Sequence, residues 1–371
     1  MTSEFAELHD EVRAAARQLL ATLTPPDAVP WHSAASSGWL GLEVAEELGG
    51  AGVSFAEVCL ICEELGRAGV GGPYLGAVVL GAGLLNALAP GDVRDGLLQQ
   101  LAEGMSVPVA VLSASDANAE FLLTKNGTEL SLSGSASFVP DATYVTDTSY
   151  ATAANGYGPL LVPSTGPDGT PVVAVIDGSA AGVTVTDRPV LDLARRLADV
   201  TLDGVAVGPA SVLSYGADAA AAVRGLGDRA AVAVACDSLG VAVAMLDITV
   251  EYVKVREQFG RPIGSFQAVK HACADMLVQI TVGRELLQQA IDAVTQDAPT
   301  AGAAVSMAKS FTCSAAVAVA GKAMQLHGGM GYTWESGIHL AVKRAALNRS
   351  MFGSPSAHRR RLARRYLDAE T

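Results

Sequence analysis

Two short segments of this sequence gather residue types suited to holding an anionic, aromatic ligand. The first is Val255-Arg256-Glu257-Gln258-Phe259-Gly260-Arg261-Pro262-Ile263-Gly264-Ser265-Phe266-Gln267. A helix is expected to end near Arg256, a Gly-Arg-Pro-Ile-Gly turn to reverse the chain, and a new helix to start around Ser265. Such a corner brings together two guanidinium groups, an aromatic ring and a carboxamide. Arg256 can grip a pyrophosphate with its planar fork, Phe259 can stack on a heterocycle, and Gln267 at a helix N-terminus can donate and accept. Taken alone, the same residues also fit a solvated turn with a helix-capping arginine.

The second segment, Gln325-Leu326-His327-Gly328-Gly329-Met330-Gly331-Tyr332, follows an alanine-rich stretch. Glycines at 328, 329 and 331 let the backbone and its N–H groups approach a ligand closely. A helix C-cap accounts for one glycine, not three. A third feature is Asp237, the one acid in the apolar run 230–246. A buried carboxylate is either paired or raised in pKa, and a raised pKa suits a base working near neutrality. Pairing with a neighbouring arginine or a backbone group is the structural alternative. Glu335 is expected to cap or to pair with Lys343 or Arg344, with a place near a ligand as its other reading. The arginine-rich run 359–365 reads as a solvated face, or else as a phosphate contact.

The elements that must position these residues change character twice along the chain. Residues 4–23 read as an amphipathic helix ended before Pro25-Pro26, and Ser54 with Glu57 forms a capping box for the next. Apolar helices are expected at 75–88 and 93–103. Alternating, strand-like runs follow at 107–112, 122–124, 129–133, 142–146, 160–162, 172–176 and 182–186, with turn chemistry at Asn126-Gly127 and Pro167-Asp168-Gly169. Long helices return at 217–255, 265–295 and 299–326, with a shorter one after Ser356. The expected division is therefore 1–106 helical, 107–210 β and 211–371 a helical bundle.

Composition narrows the function classes. A chain of 371 residues, half of them hydrophobic, can bury a large core, and its helices are too apolar to be solvated all round, so self-association or a partner subunit is expected. A net charge of −13 argues against a general nucleic-acid or anionic-membrane surface. The most apolar uncharged stretch, 74–90, is short for a membrane span, and the acidic N-terminal residues are unlike a signal peptide, so a cytoplasmic location and no membrane insertion are expected. Cys59 and Cys62 are the closest of five scattered cysteines and read as a packed, reduced pair on one helix face; no metal site is expected.

Together the two ligand-binding segments resemble the flavin-binding signature of the acyl-CoA dehydrogenases. The runs at 41–52 (Gly-Leu-Glu-Val-Ala-Glu-Glu-Leu-Gly-Gly-Ala-Gly) and at 63–67 (Glu-Glu-Leu-Gly-Arg) are also similar, as is the helical–β–helical order, so the resemblance spans nearly the whole chain. It implies an α+β fold: an N-terminal helical domain, a middle β-barrel or sandwich and a C-terminal four-helix bundle. It implies FAD as cofactor, with Arg256 and Phe259 at the pyrophosphate and adenosine and with Gln267, Gln325 and Gly329 completing that half. In this family one subunit holds the adenosine end of the flavin and its neighbour holds the ring.

The chain departs from the family where the ring and the catalytic base belong. The family's ring-binding Thr-Glu-Pro-Gly-Ala-Gly-Ser-Asp segment is replaced here by Ala110-Val111-Leu112-Ser113-Ala114-Ser115-Asp116, and a second ring-flanking strand reads Ser135-Ala136-Ser137-Phe138-Val139-Pro140-Asp141. The family removes an α-proton from an acyl thioester while hydride passes from the β-carbon to flavin, which requires a positioned carboxylate. One family position for it is occupied by Phe352 in Met351-Phe352-Gly353-Ser354, and the other falls near Ala230, two helical turns from Asp237.

The resemblance therefore implies an FAD-dependent acyl-CoA dehydrogenase subunit acting on an acyl-CoA substrate and passing electrons to an acceptor. It pairs with a related subunit that supplies the ring contacts and the base, as in mixed-subunit actinobacterial enzymes of steroid side-chain thioesters. The alternatives are a self-sufficient homo-oligomer using Asp237 as base, and a flavin-free structural paralogue.

Overall fold

The computed structural model describes residues 3–115, 119–147 and 158–368. Asp116 lies outside them. The first helices are α1 (Ser3–Leu20), α2 (Trp31–Ser36) and α3 (Phe55–Ala68). The expected capping box is present: the Ser54 N–H donates to Glu57 Oε2 at 2.9 Å and the Ala56 N–H to Ser54 Oγ at 3.2 Å, meeting donors that the first turn leaves open. Helix α3 ends on Gly69 at φ +70°, a left-handed conformation that suits glycine. The apolar run after Pro73 forms a wholly buried π-helical segment (Tyr74–Ala82) that passes into the short α4 (Gly83–Asn86), and α5 is Asp92–Ala102.

The middle of the chain is one sheet. Its strands are β1 (Val109–Ala110), β2 (Glu120–Asn126), β3 (Glu129–Pro140), β4 (Pro159–Thr165), β5 (Pro171–Asp177), β6 (Val183–Arg188), β7 (Leu197–Val207) and β8 (Val212–Ser214). They pair in the order β6-β7-β3-β2-β4-β5-β8, with β1 parallel to β4. The strand expected at 142–146 is instead a 3₁₀ turn (Ala142–Thr146). Asp141 at φ +62° breaks the extended run, and the turn buries Tyr144 and Val145 where alternation would have faced one of them outward. β7, the long partner of β3, was not expected, although its apolar residues alternate with Asp199, Thr201 and Asp203. β8 carries the sheet past residue 210.

The remaining chain is helical: α6 (Ala219–Val255), α7 (Gln267–Thr295), α8 (Ala301–Leu326), α9 (Ile338–Ser350) and α10 (Pro355–Asp368). α6 and α8 are long and apolar enough to cross a membrane by length and composition, but their most apolar windows are 78% and 61% buried within the protein, so they serve as core. α6 also packs on α3 across two glycines. A Cβ on Gly66 would collide with the carbonyl oxygen of Asp237, and one on Gly240 with that of Glu63. This close crossing joins the N-terminal and C-terminal helical units. Ion pairs from Glu63 to Arg284 (2.8 Å) and to Arg13 (3.1 Å) brace it.

Candidate functional site

The Arg256–Gln267 corner forms as the residue types require. α6 ends at Arg256, and a two-residue hairpin follows, with β9 (Glu257–Gln258) against β10 (Arg261–Pro262). Its tip is Phe259 at φ +54° and Gly260 at φ +74°. Positive φ at both positions is the tight-turn geometry compatible with strand twist, and a phenylalanine held there carries backbone strain of about 1 kcal/mol. The Phe259 ring is 92% exposed and meets the Phe266 ring edge to face, at 6.1 Å between centroids. Arg261 covers the Phe266 ring at 4.2 Å. Arg256 is exposed and makes no ion pair among the described residues, while its backbone is fixed by Tyr252 and Ile263. Gln267 opens α7, also exposed.

The glycine segment lies at the same end of the bundle. Tyr252, four residues before Arg256, stacks on His327 at 4.3 Å, and its hydroxyl donates to the His327 carbonyl at 3.4 Å. His327 follows Gln325 by two residues, so α6 and α8 bring both motifs to one corner. The three glycines have different reasons. Gly328 sits at φ +59°, and a Cβ on Gly331 would strike the Met324 carbonyl, whereas a Cβ on Gly329 would meet nothing within 4 Å. Backbone conformation favours glycine at 328 and packing requires it at 331; Gly329 leaves an open, side-chain-free surface. An unpaired guanidinium, an exposed aromatic ring, two exposed carboxamides (Gln267 and Gln325) and bare backbone at Gly329 fit the pyrophosphate and adenosine end of a dinucleotide.

A separate cleft of about 440 Å³ opens between the sheet and the bundle, lined by Leu112, Ser113, Ser115, Arg224, Phe352 and His358 among others. Arg224 stands exposed there with no ion pair among the described residues, whereas the groups near Ala114 and Phe352 are engaged within the protein. The Ala114 N–H donates to the Phe138 carbonyl (3.0 Å) and its carbonyl accepts from the Phe352 N–H (2.7 Å). Ser113 Oγ donates to the Ser137 carbonyl (2.7 Å) and accepts from the Ser115 N–H (3.2 Å). Phe138 and Phe352 both adopt positive φ, 55° and 51°. The turn at Phe352 is pinned by His358, whose Nε2 donates to the Phe352 carbonyl (2.9 Å), and by the fully buried Lys309, whose Nζ donates to the Asn348 (2.8 Å) and Gly353 (3.4 Å) carbonyls. Burial holds the His358 imidazole below the usual histidine range. Arg224, Lys309 and His358 escaped the sequence reading. Only a lysine and a histidine in otherwise apolar or arginine-rich surroundings marked two of them.

Asp237 does not reach either place. It lies on α6, 2% exposed, nineteen residues before Arg256, a rise of about 28 Å. Arg344 Nε donates to its Oδ1 (2.9 Å) and Arg344 Nη2 to its Oδ2 (2.5 Å). Asn348 Nδ2 donates to Oδ1 (2.6 Å), and Arg195 Nη2 lies 2.9 Å from Oδ2. Burial by itself would raise this carboxyl, but Arg344 and Arg195 outweigh it and hold the group below the usual carboxylate range. A base needs the opposite shift and an open face, so the catalytic reading of Asp237 is corrected to a structural one. Arg344 also donates to the Val70 carbonyl (2.7 Å), and Arg195 belongs to the sheet unit, so the cluster ties all three parts of the chain.

The other sequence candidates are also accounted for. Glu335 is exposed and bonded to Thr333 and its own backbone, while Lys343 lies over Trp334 instead. Arg361 pairs with Asp228 (2.6 Å), and Arg359, Arg360 and Arg364 face solvent. Cys59 and Cys62 are buried and unbridged, and burial pushes both thiols well up. No group of three metal-ligating side chains occurs among the described residues.

Comparison with known proteins places this geometry. Residues 1–105 match the acyl-CoA dehydrogenase N-terminal domain family and residues 221–367 the acyl-CoA dehydrogenase C-terminal domain family. The acyl-CoA dehydrogenase IpdE2 of Mycolicibacterium smegmatis is 32% identical over 325 residues, covering 88% of this chain and 83% of the relative. Among solved structures, a variant of the Tcur3481-Tcur3483 steroid acyl-CoA dehydrogenase aligns with a TM-score of 0.81 at 28% identity, over 98% of this chain and 99% of the other. The ChsE4-ChsE5 complex from Mycobacterium tuberculosis aligns with a TM-score of 0.83 at 26% identity, over 100% of this chain and 98% of the other. The chain belongs to the acyl-CoA dehydrogenase family of FAD-dependent oxidoreductases.

Proposed function

We propose that this chain is one subunit of a mixed acyl-CoA dehydrogenase, donating the adenosine and pyrophosphate half of an FAD site while a related subunit supplies the ring contacts and the catalytic base. The observation that carries this reading is the contrast between the corner and the cleft. At the corner, the side chains of Arg256, Gln267 and Gln325 have no hydrogen-bond or ionic partner among the described residues, the exposed Phe259 ring meets Phe266 edge to face, and Gly329 leaves open backbone. In the cleft, the backbone groups of Ala114 and the hydroxyl of Ser113 are engaged internally, and Phe352 stands where the family's base is expected.

FAD, when bound across two subunits, supplies the hydride acceptor for α,β-desaturation of the thioester. This chain's residues bind and orient its adenosine end: Arg256 neutralises phosphate charge, Phe259 offers a stacking face, and Gly329 admits the backbone closely. An apolar strip on α7, Leu277, Val278 and Val282, all exposed, supports a large subunit interface. Similarity to a steroid acyl-CoA dehydrogenase and to a two-protein complex favours a polycyclic acyl-CoA substrate and a heteromeric assembly, with electrons passing on to a separate acceptor. In the assembled enzyme, Arg256→Ala is expected to lower FAD affinity about tenfold or more. Unchanged flavin content after dialysis would instead favour a structural paralogue.

A further inference from the structure

The arginines around Asp237 also stand near a second buried carboxyl, which the fold treats differently. Asp141 follows the last residue of β3 at φ +62° and is 2% exposed. Its Oδ2 accepts from the Gly76 N–H at 2.7 Å, across the junction between the sheet and the buried π-helical segment of the N-terminal unit. That N–H belongs to the first turn of the segment, where a helix leaves its donors without partners of its own. The two backbones meet closely. A Cβ on Gly76 would come within 2.9 Å of Asp141 Cβ and 2.8 Å of the Pro140 carbonyl oxygen, so only glycine fits.

The charged groups that face Asp141 are Arg195 and Arg196, from the segment before β7, and Arg344 of α9. Each of them is directed elsewhere. Arg344 and Arg195 bind Asp237, Arg195 also donates to Asn348 Oδ1 at 3.1 Å, and Arg196 binds Asp147 at 2.9 Å and covers the Tyr144 ring. The π-helical segment and the 3₁₀ turn at 142–146 bring no charged side chain, only Tyr74 and Tyr144. A carboxylate buried on a single hydrogen bond is disfavoured in its charged form. Burial outweighs the Gly76 bond and the three arginines and pushes the Asp141 carboxyl up to about 6, the opposite direction to Asp237.

We propose that Asp141 is a pH-sensitive latch between the N-terminal helical unit and the sheet, tightening their junction at Gly76 when protonated and loosening it when ionised. A protonated carboxyl still accepts on one oxygen while the other carries the proton, so the Gly76 bond survives neutralisation. The folded value lies above the unfolded one near ~4. The carboxyl's stabilisation is therefore complete below ~4 and is lost as pH rises through about 6. The contribution of Asp237 is instead lost on acidification. Two buried carboxyls that share Arg195 and Arg344 thus respond to acid with opposite sign.

The test is equilibrium urea unfolding of the full chain and of its Asp141→Asn variant at pH 8 and pH 5. Asparagine keeps the acceptor for Gly76 and cannot ionise, so it stands for the protonated latch. The variant is expected to be the more stable at pH 8. Its advantage in the folding equilibrium constant is expected to shrink about tenfold by pH 5, which lies about one unit below the folded value. A difference that does not change with pH, or an advantage that grows towards acid, overturns the proposal. Hydrogen exchange of the wild-type segment 74–82, with 301–326 as internal reference, keeps the test decisive if the variant does not fold. After correction for intrinsic rates, protection at 74–82 is expected to rise several-fold relative to the reference from pH 8 to pH 5. An unchanged or falling ratio overturns the latch.

Discussion

The C-terminal bundle holds two arginine-bearing regions that the fold treats in opposite ways. Around Asp237, two arginines and an asparagine surround one buried carboxylate. Around Arg256, an arginine and two carboxamides stand in solvent with no hydrogen-bond or ionic partner among the described residues, beside the exposed Phe259 ring. The difference separates charge that builds the molecule from charge held in reserve for a ligand. A buried pair that loses one member is strongly destabilising, whereas an exposed, unpaired group can be removed with little effect on folding.

The largest expected effect follows from breaking the buried cluster. Asp237→Asn leaves Arg344 and Arg195 facing a neutral amide, and a loss of about 3–5 kcal/mol in denaturant unfolding is expected. A loss under about 1 kcal/mol would erase the distinction drawn here. The same cluster sets a pH dependence. Because the folded pKa of Asp237 is depressed, its contribution is complete above the unfolded value near ~4 and is lost as pH falls through the lower folded value. Unfolding midpoints recorded from pH 6 downward are expected to fall more steeply for wild type than for Asp237→Asn.

Smaller effects probe the corner. Phe259→Gly removes the ring and also relieves a left-handed phenylalanine, so stability is expected to hold or rise by up to about 1 kcal/mol while FAD affinity in the assembled enzyme drops several-fold. Opposite signs in two assays on one variant are hard to obtain from a structural residue. The smallest effect is expected in the cleft, where Phe352→Leu should leave flavin content per assembled enzyme unchanged, because the turn there is held through backbone contacts from Ala114, His358 and Lys309. Marked flavin loss would mean that this chain does contribute to the ring.

Much of this was legible in the sequence where local chemistry decides the outcome. The Ser54–Glu57 box, the long alanine-rich helices and the Gly260 reversal depend on neighbours within a few residues, and they formed as expected. The motif residues were also readable by type and spacing. What could not be read was tertiary. The partners of Asp237 lie 107 and 111 positions along the chain at Arg344 and Asn348, so its burial was visible but its pairing was not. The strand expected at 142–146 was lost to the left-handed Asp141, whose carboxylate accepts from the Gly76 N–H in a distant element.

The most direct test of the central claim is the ratio of flavin to chain, measured for this protein purified alone and after co-expression with a related acyl-CoA dehydrogenase subunit. The account predicts little flavin and no acyl-CoA-dependent bleaching for the chain alone, with both restored in the mixed assembly. A yellow, fully active homo-oligomer of this chain would contradict it.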